Sequence, residues 1–394
     1  MAGVVAALCA GCEPQIRQNP RPVQVSHKLE DRSPVLKVSL GERLRGKDVP
    51  ALTVSGPVQF KSLSSGALLG SAASLSYAPI DNRGAQLVVG PHRFSEKAVL
   101  VDTGAGIVQV GDKSYRGDLE VWGEADGSVS LVNRVDLESY LMGVVASEMP
   151  KEWPAQALAA QAVASRTYAY AMLTENRSSQ RRYAMTADFR TAQVYRGLAG
   201  EVPTATAAVT QTRGNVLTYN GQPFRAYFHS CCGGHTEACG LIWEDYATIG
   251  PLTGVTCPYC THSKWYQPWT VQLKAAEIQK ALTDSGREVG AIRDIKLTDM
   301  TQEGHADVVE VFHTGGRLML RGNDFRLAVG PGRLRSLMCQ VSRQGDTYVF
   351  TGRGFGHGAG MCQYGAQGMA NQGRSWKDIV LYYYPGSQVW TIYS

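Results

Sequence analysis

The chain has 394 residues, 44% of them hydrophobic and 19% charged, enough apolar material for one large or two modest cores and not the composition of a disordered chain. The net charge of +5 is spread along the sequence with no block of five or six basic residues, which excludes the concentrated basic face of a nucleic-acid binder. No run of eighteen apolar residues occurs, so no transmembrane helix is expected.

Met1 to Cys12 is a short apolar stretch closing on Cys9-Ala-Gly-Cys12, and it looks like the end of a bacterial lipoprotein signal. No Lys or Arg precedes Arg17, which a start codon set too far downstream would explain. The expectation is export with a lipid on Cys12, that lipid being the sole membrane contact. The alternative is a frayed terminus with two incidental cysteines. Residues 13–34, with Pro14, Pro20, Pro22 and Pro34, read as a tether.

From 35 to 132 short β-type runs alternate with Gly and Ser: Leu36–Leu40, Ala51–Ser55, Ala98–Asp102, Leu119–Trp122 and Ser128–Val132. Residues 133–269 change character. An alanine-rich helix is expected from Pro154 to Leu173, with Leu158, Ala162, Ala169 and Leu173 as its core stripe. A second helix over Thr204–Thr212 stops at Gly214, and Asn220-Gly221 marks a hairpin whose second strand, Phe224–Phe228, leads to His229. Residues 270–350 read as an α/β insertion, with a helix near Ala275–Thr283 and strands at Ile292–Leu297, Ala306–Phe312 and Arg317–Arg321. Residues 351–394 return to the core with a Gly-rich, His-bearing loop and a helix opened by the capping box Ser375-Trp-Lys-Asp378 and ended before Pro385. The fold class is mixed α+β.

Three segments carry chemistry. Glu148 follows the apolar run Leu141–Ala146 and stands at the mouth of a helix. Apolar surroundings raise a carboxyl pKa and a helix N-terminus lowers it; if burial wins, Glu148 is a general acid, and otherwise a first-turn dipole partner. The Gly-rich run Gly352–Gly368 fits neither a phosphate loop nor a dinucleotide fingerprint, because His357 stands where the third glycine belongs. It reads either as a tight bend presenting His357, Gln363 and Tyr364 to a groove or as a loop with a structural histidine. The third segment is rich in sulfur. Of nine cysteines, Cys231, Cys232, Cys239, Cys257 and Cys260 fall within 30 residues. Cys232-Gly-Gly-His235 and Cys257-Pro-Tyr-Cys260 have the two-residue spacing of a closed, structural zinc site. His229 and Cys239 are reserve ligands. Disulfides Cys257–Cys260 or Cys231–Cys239 are the alternative an oxidising envelope would favour, and Cys339–Cys362 is a further candidate pair.

Tyr140-Leu-Met-Gly-Val-Val-Ala-Ser-Glu-Met-Pro150, Ala159-Ala-Gln-Ala-Val-Ala-Ser-Arg-Thr-Tyr168, Gln193-Val-Tyr-Arg-Gly197, Phe228-His-Ser with Gly-Gly-His-Thr-Glu237, Gly352-Arg-Gly-Phe-Gly-His-Gly358 and Tyr383-Tyr-Pro-Gly386 together resemble the SpoIID/LytB family over roughly residues 35–394. The resemblance implies a SpoIID-type core acting on peptidoglycan glycan strands, to whose anionic groups a mild positive charge is suited. It implies a lytic transglycosylase that cuts strands stripped of stem peptides, with Glu148 as its acid, and a zinc ion held by Cys and His near the groove. The groove candidates are Arg166, Tyr168, Asp188, Gln193, His357, Gln363 and Tyr364; Asp188 is either a second carboxylate or a turn residue before Arg190. Cys362, where many members have Ser, is a departure. A non-catalytic wall-binding enhancer of a cell-wall amidase is the rival reading. A zinc hydrolase is disfavoured because no His-Glu-x-x-His occurs.

Overall fold

The computed structural model describes residues 32–393 except 85, 105, 180, 188–192 and 244–248. The lipoprotein-like segment with Cys9 and Cys12, nearly all of the tether, and Asp188 lie outside the described residues. The fold is mixed α+β, in line with the sequence pattern.

Alternating apolar residues build a seven-stranded sheet in the spatial order Met185–Thr186, Val35–Leu44, Val129–Asp136, Asp118–Gly123, Ala98–Asp102, Val58–Ser62, Leu68–Ala72. All its pairings are antiparallel except that of the short Met185–Thr186 strand at one edge. Leu36, Val38, Phe60, Val99, Val101, Leu119 and Val121 are buried from alternate positions of these strands. The Val129–Asp136 strand runs directly into helix α1, Leu137–Glu148. Asp136 caps that helix, its carboxylate accepting from the N–H groups of Glu138 (3.0 Å) and Ser139 (3.1 Å).

Pro150 and Pro154 then break the chain before helix α2, Ala155–Ser179, and helix α3, Pro203–Gln211, packs beside it. The alanines of α2 let its neighbours come close, and Ala157 to Ala164 are all buried. The Asn220-Gly221 turn has φ of 50° and 74°, the left-handed pair that a tight hairpin needs. Its second strand is shorter than expected, however. Gln222–Pro223 pairs with Asn215–Tyr219, residues 224–227 are irregular, and Phe228–His229 instead pairs in parallel with Met361–Cys362.

Trp269 to Phe350 supply a second hydrophobic core. Two three-stranded sheets, Trp269–Lys274 with Cys339–Gln344 and Thr347–Gly352, and Ile292–Met300 with Ala306–His313 and Gly316–Arg321, enclose it with helices at Ala275–Asp284 and Gly322–Val329. The second of these helices was not expected. After the Gly-rich loop, Gln363–Asn371 forms another unexpected helix, and Trp376–Tyr383 follows with its Ser375/Asp378 capping box in place.

Candidate active site and cysteine centre

Glu148 is the last residue of α1, so it faces the negative end of a helix dipole and not, as the sequence suggested, the positive one. It is partly buried, and burial pushes its carboxyl up to about 7, against the opposing pull of the Val194 N–H and the charge of Arg196. Val194 N–H donates to Glu148 Oε1 at 2.6 Å, fixing one carboxyl oxygen. Gln363 Nε2 donates to the Glu148 carbonyl (3.0 Å) and to Gln161 Oε1 (3.2 Å), tying the end of the Gly-rich loop to the end of α1. Tyr364, the next residue, meets Trp153 edge-on with ring centroids 4.9 Å apart. Thus a carboxyl of raised pKa, a cation and a pair of aromatic rings come together from segments up to 215 residues apart.

Several groove candidates prove to be structural. Arg166 is fully buried, so it cannot reach a substrate. Its guanidinium grips both oxygens of Glu138 at 2.8 Å and also donates to the Val209 and Asn215 carbonyls. Burial alone would raise the Glu138 carboxyl, but Arg166 holds it below the ordinary range. Tyr168 is 8% exposed and packs against Tyr227. Gln193 is buried between the Tyr140 hydroxyl (3.0 Å) and the Ser165 carbonyl (3.3 Å). His357 Nδ1 accepts from Ala359 N–H, and the ring also bonds the backbone of Phe228, so backbone partners use its hydrogen-bonding capacity. Among the described candidates His357 and Tyr364 are partly open, and of the two Tyr364 adjoins Gln363 and Trp153 beside the end of α1. Trp153 and Arg196 are not among the candidates that the sequence singles out. The two available signals are a tryptophan between two prolines and an arginine inside the Gln193–Gly197 motif.

The sulfur centre also differs from the expected set. Cys232, Cys257, Cys260 and Cys362 are buried, with sulfurs all within 4.8 Å of one another. Cys362 supplies the fourth sulfur; His235 instead lies near Glu237 and Glu303. The physical reason is the parallel pairing of Phe228–His229 with Met361–Cys362, which carries Cys362 alongside the Cys232 segment. Cys232 and Cys260 sulfurs are 3.6 Å apart, close to the roughly 3.8 Å edge of a tetrahedron with Zn–S bonds of about 2.3 Å. Backbone N–H groups of Cys232 and Gly365 point at the Cys362 sulfur, and that of Gly234 at Cys232, all at 3.3–3.4 Å. Such donors stabilise thiolate charge. A side chain at Gly365 would strike the Tyr383 hydroxyl at 1.9 Å and the Cys257 sulfur at 2.8 Å, so only glycine fits against the cluster. Cys231, Cys257, Cys260, Cys339 and Cys362 carry free thiols, so none of the candidate disulfides is formed among the described residues. His229 is bound through Nδ1 to the Ala359 carbonyl, and Cys339 lies in the other core, away from Cys362.

Comparison with known proteins places this geometry in a lineage. Residues 125–219 match the SpoIID stage II sporulation protein family, and residues 259–360 match DUF8618, a domain of unknown function. Stage II sporulation protein D of Bacillus subtilis is 37% identical over 273 residues, 66% of this chain and 75% of that protein. Its Bacillus amyloliquefaciens counterpart is 35% identical over 270 residues, 66% of this chain and 75% of that protein. The amidase enhancer of Bacillus subtilis is 29% identical over 299 residues, 63% of this chain and 40% of that protein. On the 37% identity that spans 75% of the Bacillus subtilis stage II sporulation protein D, together with the family match, the chain belongs to the SpoIID family.

Proposed function

We propose that the protein is a lytic transglycosylase that cuts peptidoglycan glycan strands stripped of their peptides, with Glu148 as general acid and base. The observation that carries the reading is Glu148 itself: a partly buried carboxyl raised to about 7 at a helix C-terminus. Ordinary glycosidases need two carboxyl groups. In a lytic cut the 6-hydroxyl of the muramic residue attacks its own anomeric carbon, so one suffices. Glu148 gives its proton to the bridging oxygen as that C–O bond breaks. The resulting carboxylate takes the 6-hydroxyl proton as the 1,6-anhydro ring closes, and no water is consumed. The tethered nucleophile leaves the enzyme two tasks, orientation and proton transfer. Val194 N–H fixes one oxygen and leaves the other for this work, while Trp153 and Tyr364 offer apolar faces to sugar rings.

The same reading gives the four-cysteine cluster a zinc ion. The donor set fits: four buried sulfurs near tetrahedral spacing, with N–H donors aimed at two of them. When bound, the ion supplies cross-linking and no reaction chemistry, because four thiolates close its coordination. Such a substrate lies outside the cytoplasmic membrane, so export follows from the proposal, with Cys12 as the lipid anchor.

To test it, denuded glycan is digested with wild type and Glu148→Gln and the products are weighed by mass spectrometry. Wild type is expected to release 1,6-anhydromuramic ends and the variant at least 100-fold less, the scale of general acid–base catalysis. Equal release would remove Glu148 from the chemistry. The amidase enhancer among the relatives favours a second reading, a wall-binding enhancer. Under that reading purified protein releases nothing from glycan alone and speeds an added cell-wall amidase, with Glu148→Gln as effective as wild type.

A further inference from the structure

His235, displaced from the sulfur cluster, has other company. His235, Glu237 and Glu303 each present one donor atom, and the three lie within 4.8 Å of one another. Glu303 comes from the insertion and the other two from the segment after His229. His235 Nε2 is 3.9 Å from Glu303 Oε1, and His305 Nε2 is 3.9 Å from Glu237 Oε1. Both gaps are too long for hydrogen bonds. Both lie within the roughly 4.2 Å that two donors, each about 2.1 Å from one ion, can span.

A second observation is independent of that grouping. His305 is 4% exposed, and neither of its ring nitrogens has a hydrogen-bond partner; His235 Nδ1 has none either. Leaving such polar atoms buried and unpaired is costly, and an unpaired imidazole aimed at a carboxylate calls for something between them. The surrounding backbone is built to hold them there. Glu237 N–H donates to the Gly358 carbonyl (2.8 Å), and Thr301 Oγ1 donates to Glu237 Oε1 (3.2 Å). The turn bearing Glu303 and His305 is closed by Thr301 N–H to His305 O (2.8 Å) and His305 N–H to Thr301 Oγ1 (3.1 Å). At Gly358 a Cβ would lie 2.9 Å from His305 Cε1, so the Gly-rich loop leaves room for the imidazole.

We propose that His235, Glu237 and Glu303 form a second metal site, with His305 beside Glu237, for a divalent first-row cation that fastens the insertion to the SpoIID core. An imidazole and two carboxylates are a mixed nitrogen and oxygen donor set, chemically unlike the thiolate cluster and suited to zinc or its neighbours in the series. The His235 and Glu303 side chains are 26% and 31% exposed, so one side of the ion faces solvent and can keep a water or take a substrate oxygen.

Cobalt(II) is the probe. Full-length wild type, His235→Gln and Glu303→Gln are stripped by chelator, dialysed against cobalt and assayed for bound metal, with absorption spectra recorded on the same samples. Both changes are at partly exposed positions, and either alone tests the site. Wild type is expected to hold one equivalent more than each variant, with any thiolate-to-cobalt charge-transfer absorption equal in all three. The count decides whether or not the cysteine cluster takes cobalt. The same number of equivalents in wild type and both variants would overturn the proposal.

Discussion

Burial of Glu148 has consequences for both stability and rate, and both decline as pH rises. The carboxyl titrates near 7 in the folded protein and at roughly 4.3 in an unfolded chain. A folded-state pKa above the unfolded one adds stability that is fully present below about 4.3 and lost as pH rises through 7. Glu148→Gln keeps an oxygen for the Val194 N–H and has no charge to bury. Its Tm is therefore expected to gain on wild type between pH 5 and pH 8 in thermal denaturation, and a gap independent of pH would contradict the raised pKa. The wild-type kcat/KM on glycan is expected to fall tenfold per pH unit above about 7, because the proton donor is then ionised. At this scale the burial of Glu148 is legible in the apolar run beside it, but its place at the end of a helix is not. Gln193 and Gln363 were misplaced because an amide that binds backbone and an amide that binds sugar are the same residue in a sequence.

The α1–α2 pair shows how an element hides a residue's role. Arg166 on α2 reaches Glu138 on α1 and carbonyls at Val209 and Asn215, so one side chain fastens both helices to α3 and to the strand after it. Arg166→Met removes the guanidinium and leaves the Glu138 charge buried without its partner, which costs about 3–5 kcal/mol. Urea denaturation is expected to show that loss, with KM for glycan unchanged in the protein that remains folded. A raised KM at undiminished stability would return Arg166 to the groove. The alanine-rich helix was readable from Pro154 and its small residues, but α1 was not. Leu137, Glu138, Tyr140, Leu141, Gly143, Val144 and Val145 are all buried, so the helix has no polar face to mark its period, and Glu148 was assigned to the start of one helix when it ends another. The sulfur centre has the same difficulty over a longer range. Cys362 lies 130 residues from Cys232, beyond any spacing rule, and the nearby Cys-x-x-His pattern drew His235 into a set it does not join.

Two hydrophobic cores divide the molecule. Cys232, Cys257, Cys260 and Cys362 all belong to the one built on the SpoIID helices and sheets, while the insertion gathers Trp269 to Phe350 around its own. The composition allowed for one core or two and could not choose between them, since apolar content says nothing of how long-range pairings divide it. Heating should then melt the two parts as separate transitions. A metal held by the cysteines, as proposed, would close a loop of about 130 residues and so favour the folded core by limiting the unfolded chain. It would also anchor Cys362 immediately before Gln363 and Tyr364, the residues that meet Glu148 and Trp153. Cys260→Ser removes one sulfur and touches neither the insertion core nor the His235–Glu303 group. By differential scanning calorimetry the SpoIID-core transition is expected to fall by several degrees while the insertion transition stays where it was. Glycan cleavage should fall with the first and not the second. If both transitions move together, or neither does, the sulfur cluster does not hold this part of the molecule in place, and the alignment of Tyr364 with Glu148 must come from the Gln363 and Gln161 hydrogen bonds alone.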